Sequence, residues 1–319
     1  MNIEVSIIMP VYNAEKYLDR SIKSIINQGF DNWILWAIDD GSTDRSGAIL
    51  DAYELEDSRI NVIHQRNKGV SAARQLGIDK SEGKYCIQVD SDDWVEPDYL
   101  SNLVKCAEEN NADMVWCDSF RNEEEIWRHE CIEEPVEMIG SILKEKCWGT
   151  LWNRLIKTDI CKLREVRFPQ GCKMWEDKAF VISVLVYCNK IVHCKKCLYH
   201  YTTNNENSLL HRQFNENMQE DLKKAINQIE SVLENRGFTQ FSKELNKMKL
   251  MAIKEYVDDK RRTDYYRYLN TAPEALDHIA EYPDFPQRHI YLYWAIKNRQ
   301  IWMIPIIMKI DSLIRRIIP

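Results

Sequence analysis

Through the first 120 residues, short runs of β-branched and apolar positions alternate with segments whose apolar residues recur every three or four positions. Val5-Ser-Ile-Ile-Met9 is a strand-like run that stops at Pro10. Residues 14–28 carry Tyr17, Leu18, Ile22, Ile25 and Ile26 on one side of a helix, with Asn13 placed as its N-cap and Gly29 as its end. Residues 33–38 predict a second strand, 44–55 a helix, 60–64 a third strand, 70–78 a third helix and 85–89 a fourth strand. Pro97 suits the first turn of another helix, and 114–117 a further strand. This alternation predicts an α/β fold built on a parallel, helix-covered sheet. Such sheets bind ligands beyond the carboxyl ends of their strands.

The pattern loosens after residue 120. Glu123–125 and Glu133-Glu134-Pro135 read as exposed loop, 139–145 as a helix, and Phe168-Pro-Gln-Gly171 as a turn. Trp175-Glu176-Asp177 precedes a helical run over 179–187, and 190–201 reads as a strand or hairpin. Residues 214–279 are helical and strongly charged, and no internal repeat is visible.

Composition narrows the class. Of 319 residues, 45% are apolar, which supports a sizeable core and excludes global disorder. The net charge of −7 supplies no general basic field, so a nucleic-acid partner is not expected. Met1 is followed almost at once by a strand-like run, Ile3 to Pro10, rather than by a basic and then an apolar region, so no secretory signal is expected. The ten cysteines, all between Cys86 and Cys197, are read as reduced thiols of a cytoplasmic protein. No apolar run reaches bilayer-spanning length.

Two acidic clusters stand at strand ends. Asp90-Ser91-Asp92-Asp93 packs three carboxylates together, which repel unless a cation or a cationic partner neutralises them. Hard divalent ions take such ligands and share them with substrate phosphates. The same tetrad also fits an acidic turn ahead of the helix at Pro97. Asp39-Asp40-Gly41-Ser42-Thr43-Asp44 is the second cluster; Asp44 suits a helix cap, which leaves the doubled Asp unexplained. Cys194-Lys-Lys-Cys197 with His193 and His200 superficially suggests zinc, but no second ligand pair stands at the right spacing. Arg154 and Lys157 read either as solvated surface or as groups facing phosphates or acceptor.

Taken together, Val5-Ser-Ile-Ile-Met-Pro-Val-Tyr-Asn13, Asp39-Asp-Gly-Ser-Thr-Asp44, Asn67-Lys-Gly-Val-Ser-Ala-Ala-Arg74 and Asp90-Ser-Asp-Asp93 resemble the family 2 glycosyltransferases of the GT-A fold. The resemblance continues less tightly through Trp152-Asn-Arg-Leu-Ile156, Glu176-Asp177 and Tyr199-His-Tyr201, to about residue 212. It implies a Rossmann-like mixed sheet flanked by helices, with a nucleotide-sugar half over about 1–118, an acceptor half over 119–212 and a helical C-terminal region over 213–319. It implies an inverting, metal-dependent hexosyl- or N-acetylhexosaminyltransferase using a nucleotide-sugar donor, most simply UDP-linked. The acceptor implied is a saccharide, free or lipid-linked, in surface polysaccharide assembly.

By position, the resemblance puts Tyr12 against the nucleotide base, with Pro10 in the same loop, and Asp40 at the uracil imide. Asp39 supports the loop. Arg74 falls near the pyrophosphate or the acidic cluster, and Asp90 near the ribose. Asp92 falls on a Mn²⁺ or Mg²⁺ ion, with Asp93 a second metal ligand because the extra Asp blurs the register. Asp177 falls on the general base, and His211 is a possible further metal ligand. The non-enzyme alternative is a catalytically weak sugar-nucleotide-binding or scaffolding module. A nucleotidyltransferase would want a Gly-rich basic loop where Pro10-Val-Tyr-Asn13 stands.

The last segment differs from the rest. Residues 288–319 hold six Lys/Arg and one acid, a charge of +5 that leaves −12 for the first 287. Ile310, Leu313, Ile314, Ile317 and Ile318 project on one half of a helix, and Lys309, Asp311, Ser312, Arg315 and Arg316 on the other. Tyr291, Tyr293 and Trp294 lie upstream. A basic, aromatic-flanked amphipathic helix suits the surface of an anionic membrane, here the inner face of the plasma membrane. It also suits packing on its own domain or on the partner of a homodimer.

Overall fold

The computed structural model describes residues 3–122, 125–128, 130–203, 216–258, 275 and 287–317. One nine-stranded mixed sheet forms its centre. The chain runs β1 (Val5–Val11), α1 (Leu18–Ile26), β2 (Trp33–Asp39), α2 (Ser46–Glu56), β3 (Ile60–His64), α3 (Val70–Lys80), β4 (Tyr85–Gln88), β5 (Trp94–Val95) and α4 (Tyr99–Asn110). It continues through β6 (Met114–Arg121), β7 (Glu125–Trp127), α5 (Pro135–Leu143), β8 (Arg154–Lys157), α6 (Thr158–Leu163), α7 (Glu176–Leu185) and β9 (Ile191–Tyr201). The described C-terminal helices are α8 (Glu216–Asn235), α9 (Ser242–Asp258), α10 (Gln287–Lys297) and α11 (Ile304–Ile317).

The strand order is β3-β2-β1-β4-β8-β6-β9-β5, with β7 paired to β6. The first four strands are parallel, as their spacing with helices predicts. β8 then enters antiparallel to both β4 and β6, so the sheet is mixed. Strand order reverses at β1, which lies between β2 and β4. A crevice is expected at that reversal, beyond the carboxyl ends of those three strands.

Alternation along β1 explains the two-sided core. Val5, Ile7 and Met9 join one apolar cluster with Leu18, Ile22 and Ile25 of α1 and Leu100 and Leu103 of α4. Ile8 joins the other, with Met138 and Ile142 of α5 and Phe180 and Val184 of α7. That second cluster does not stop at residue 212. Leu222, Ile226 and Ile229 of α8 and Leu245 and Met248 of α9 are buried in it. At about 1.5–3 kcal/mol for each large side chain, this burial ties the C-terminal helices firmly to the sheet.

Several sequence expectations change. Asn13 does not cap α1, which starts later, at Leu18; with φ +51° its side chain turns instead to the Asp39–Asp44 loop. Pro135 is not loop but opens α5 at its first turn, where its missing N–H costs nothing. Pro97 precedes rather than opens α4, which begins at Tyr99. Residues 191–201 form one continuous strand, not a hairpin. Arg154 is neither solvated nor aimed at a ligand: it is 1% exposed and bonded to backbone. Lys157 pairs with Asp113 at 2.9 Å.

All ten cysteines are free thiols, six of them buried. The residues of the apparent zinc pattern have other partners. His193 stacks on Trp116 and reaches Asp118, and His200 stacks between Trp94 and Phe120. No described helix is long and apolar enough to cross a membrane.

Candidate active site

Three strand ends build the site. The end of β1 and the turn after it present Pro10, Tyr12 and Asn13; the end of β2 presents Asp39 and Asp40; and the loop after β4 presents Asp90, Ser91 and Asp92. A cavity of about 300 Å³ opens between them, within the range of small-molecule pockets. Pro10, Tyr12, Asp40, Arg74, Asp90 and Asp92 all line it. The sequence did not single out Asn67, Gly69, Lys173, Tyr201 and Thr202, which line it too. The first two lie in the Asn67-Lys-Gly motif, and Tyr201 ends the Tyr199-His-Tyr motif, so those motifs mark wall residues as well as polar ones.

The Asp39–Asp44 loop is a built structure. Gly41 sits at φ +74°, and a Cβ there would stand 2.8 Å from the Asn67 amide nitrogen, so only glycine fits the turn. Asp39 accepts from the Ser42 amide at 2.9 Å and lies 2.8 Å from His64 Nδ1. Asn13 Oδ1 accepts from the Thr43 amide, and Asn13's own amide donates to Ser42 Oγ. The strand-end loops are therefore laced together before any ligand arrives. Tyr12 stays 48% exposed at the rim, with its ring open for stacking.

Asp40 is buried and already well occupied. Its oxygens accept from Gln65 Nε2 at 2.7 Å and from the amides of Lys68 and Gly69 at 2.8 Å each. A carboxylate has about four acceptor positions, so about one remains for a ligand. The first task of Asp40 is to hold the 65–69 loop.

The acidic tetrad divides inward and outward. Asp90 and Asp92 line the cavity, while Asp93 is 1% exposed and turned into the protein. Asp93 accepts from the Tyr199 hydroxyl and from the Thr202 amide, each at 2.7 Å. Burial, with Asp92 and Asp90 close by, pushes its carboxyl well above the usual range. Asp93 is thus a buried support, which corrects its reading as a second metal ligand. The ambiguous register resolves to Asp90-x-Asp92.

Arg74 joins the two halves of the site. It donates to Asp90 at 3.0 Å and to Glu176 at 2.7 Å, although Glu176 is 102 residues away in sequence. Burial works against its charge, but Asp90, Glu176 and Asp177 outweigh it and hold the guanidinium more basic than usual. Glu176 is pushed up to about 7 by burial, against the pull of Arg74. Asp177, in the first turn of α7, is likewise raised by burial, with Arg74 and Lys178 opposing. Its Oδ1 accepts from the Lys178 amide at 2.7 Å. Just before this pair, Trp175 takes φ +59°, a left-handed conformation rare for a bulky residue. Its ring lies under Lys178 Nζ at 3.9 Å. Nothing in the sequence signals that strained turn, and strain of this kind concentrates at functional sites. His211 lies outside the described residues.

Among the described residues, no group of three or more His, Cys, Asp and Glu side chains is gathered tightly enough to hold a metal alone. The cavity offers the Asp92 carboxylate. Mg²⁺-type sites commonly use one or two carboxylates and complete the shell with waters and substrate phosphates. An incomplete protein set beside a cavity of this size fits that pattern.

Comparison with known proteins supplies independent information. A family model described as "Glycosyl transferase family 2" matches residues 6–158. The putative glycosyltransferase EpsH of Bacillus subtilis is 31% identical over 207 residues, covering 62% of this chain and 60% of EpsH. The glycosyltransferase GlyG of Streptococcus pneumoniae is 32% identical over 215 residues, covering 62% of this chain and 70% of GlyG. The matched region of the minor teichoic acid biosynthesis protein GgaB of B. subtilis, 32% identical, is 24% of that longer protein. The chain thus spans less than two thirds of some relatives, EpsH among them. In three dimensions it resembles S. aureus TarS 1–349 in complex with UDP-GlcNAc, at TM-score 0.69 and 18% identity, over 97% of this chain and 92% of that one. The Pyrobaculum calidifontis mannosyltransferase PcManGT, in complex with GDP-Man and Mn²⁺, matches at TM-score 0.51 and 14% identity, over 97% and 87%. These likenesses extend the shared fold through the C-terminal helices.

Proposed function

Because the chain belongs to glycosyl transferase family 2 and has the GT-A architecture, we propose that it moves a sugar from a UDP-linked donor to a saccharide hydroxyl with inversion at the anomeric carbon. The acceptor is carried on lipid, in the assembly of a surface polysaccharide. The division of labour follows the chain: a donor half over 1–118, an acceptor half over 119–212 and a helical region beyond. One observation carries the reading: Arg74, in the cavity wall, pairs with Asp90 beside it and with Glu176, the neighbour of Asp177, from a distant part of the chain, although Glu176 and Asp177 stand behind that wall and do not line the cavity. The UDP-sugar in the related TarS fold supports uridine, and the named task of GgaB supports a cell-surface glycan.

In this reading the Tyr12 ring stacks on the base at the cavity mouth. The remaining acceptor position of Asp40 takes the base imide N–H. Pro10, which has no N–H to satisfy, contributes to the wall of the same cavity. Asp90, held by Arg74, faces the ribose. A divalent cation, Mn²⁺ or Mg²⁺, held by Asp92 supplies neutralisation of the charge that develops on the leaving diphosphate. Asp177 removes the proton from the attacking hydroxyl, and its raised pKa makes it a stronger base than an exposed aspartate. A single displacement with a single base inverts the anomeric centre, as in inverting hydrolases with a hydroxyl in place of water.

Thermal unfolding tests the donor site. UDP-sugars with Mn²⁺ are expected to raise Tm by several degrees, with chelator abolishing most of the rise, because binding to the native state alone stabilises it. In Asp92→Asn the chelator-sensitive part disappears. A rise equal in both proteins, indifferent to chelator, overturns the assignment of Asp92.

The C-terminal segment extends the reading to the membrane. Tyr291 and Trp294 on α10, Trp302 in the following turn, and Ile306 and Ile310 on α11 are each about half or more exposed. Arg288, Lys297, Arg299 and Lys309 accompany them. The side chains of Leu313, Ile314, Ile317 and Ile318, on which the helical projection also rests, lie outside those described. Anionic lipid contributes about 1 kcal/mol per basic residue near the surface. Truncation at 287 would also remove Leu292, Ala295 and Ile296, all buried, and uncover the surface they pack on, so point substitution is the cleaner test. Trp302→Ser with Ile306→Ser is expected to lower partition onto phosphatidylglycerol vesicles several-fold. Equal partition of variant and parent rejects the membrane role.

A further inference from the structure

An aromatic strip leads out of the cavity on the acceptor side. Tyr201 lines the cavity, and its ring stacks over Trp152 at 5.7 Å and 11°. Trp148 stands edge-on to Tyr201 at 6.5 Å and 84°, and Trp127 edge-on to Trp148 at 4.1 Å and 78°. The strip opens to solvent as it leaves the cavity. Trp152 beneath it is buried, while Trp148 is 42% exposed.

The loop carrying Trp148 is held in place. Arg154, wholly buried, donates from Nη2 to the Trp148 carbonyl at 2.7 Å and from Nη1 to the Thr150 carbonyl. Gly149 allows the loop to lie against α7: a Cβ there would stand 2.9 Å from the Cα of Lys178, the neighbour of Asp177. A buried cation is costly, and here its donors go to the carbonyls of this loop. The polar Lys178–Glu145 pair at 3.3 Å adjoins the loop.

We propose that Tyr201, Trp148 and Trp127 bind the acceptor saccharide, with a ring behind the attacking sugar lying on the half-exposed face of Trp148. The inference rests on the glycosyltransferase reading and gives the acceptor its subsite. Pyranose rings have an apolar C–H face ringed by hydroxyls. A rigid aromatic surface with polar groups at its edge matches both, at little entropic cost. The Tyr201–Trp148 separation is on the scale of one sugar ring. A sugar lying on Trp148 therefore places its non-reducing neighbour beside Tyr201, in the cavity that holds the donor.

The test uses saturation-transfer NMR on the full chain with UDP present and a fixed panel of trisaccharides: cellotriose, chitotriose, laminaritriose and β-1,4-galactotriose. At least one is expected to bind the parent protein. Its apparent affinity should fall roughly tenfold or more in Trp148→Ala and be largely restored in Trp148→Phe. Thermal unfolding of each variant reports whether the fold is intact. Unchanged affinity in Trp148→Ala, or no binding by any member of the panel, overturns the strip. The UDP-dependent rise in Tm, measured on the same samples, judges the donor site separately, so the two readings fail in distinguishable ways.

Discussion

Asp177→Asn is expected to lower sugar transfer by about 10²–10⁴-fold while leaving UDP-sugar affinity within a few-fold of the parent. The exchange conserves size, and the amide oxygen can still accept from the Lys178 amide, as Oδ1 does at 2.7 Å. What disappears is proton acceptance. Burial raises the Asp177 pKa, with Arg74 and Lys178 opposing. The acid limb of kcat/KM should therefore lie above the range of an exposed aspartate, and activity should fall as pH drops through it. Steady-state kinetics with a measured donor affinity separate this from simple misfolding. A variant that retains more than a tenth of the parental rate removes Asp177 from the base role. Glu176→Gln serves as the contrast. It disturbs the Arg74 pair, so it should weaken donor binding and stability as well as rate.

The strand ends were legible because their chemistry is local. A doubled Asp before Gly, or three carboxylates within four residues, is visible without knowing what lies opposite. The same holds for β3, whose bounds the apolar run predicts residue for residue. What lay beyond reach depends on partners far along the chain. Asp92 and Asp93 are equivalent as letters; only Tyr199 and Thr202, more than 100 residues later, turn Asp93 inward. Asn13 has the composition of a cap, but Thr43 and Ser42 outcompete the α1 amides for it. Arg154 sits in a segment whose polarity suggests surface, whereas β8 lies between β4 and β6 and is buried by both. Antiparallel insertion of β8 into a parallel run is itself a long-range event, with no period to announce it. The Trp148 strip was missed for the same reason: its four rings come from three separate segments, β7, the loop before β8 and the end of β9.

Arg74→Met is expected to cost about 3–5 kcal/mol of stability, a fall in Tm of roughly 10 °C, and to abolish measurable transfer. The side chain is 10% exposed and holds two carboxylates, Asp90 on the donor side and Glu176 on the acceptor side. Methionine fills the space but leaves both anions facing each other with no cation between them. One of them must then take up a proton or draw in water, and either response shifts the loop that carries Asp92. The effect should be strongly non-additive. In Arg74→Met combined with Glu176→Met, one of the stranded charges is gone, so the double variant should recover part of the lost stability relative to the sum of the single changes. Activity should not recover, because Asp90 still lacks its partner and α7 no longer has a link to α3. A double-mutant cycle read by thermal unfolding decides it. Additivity within about 0.5 kcal/mol would mean that the pair seen at 2.7 Å contributes no coupling between the halves. The two halves would then be held together by the shared sheet and the apolar core, and donor site and base would owe their alignment to these rather than to the Arg74 charge.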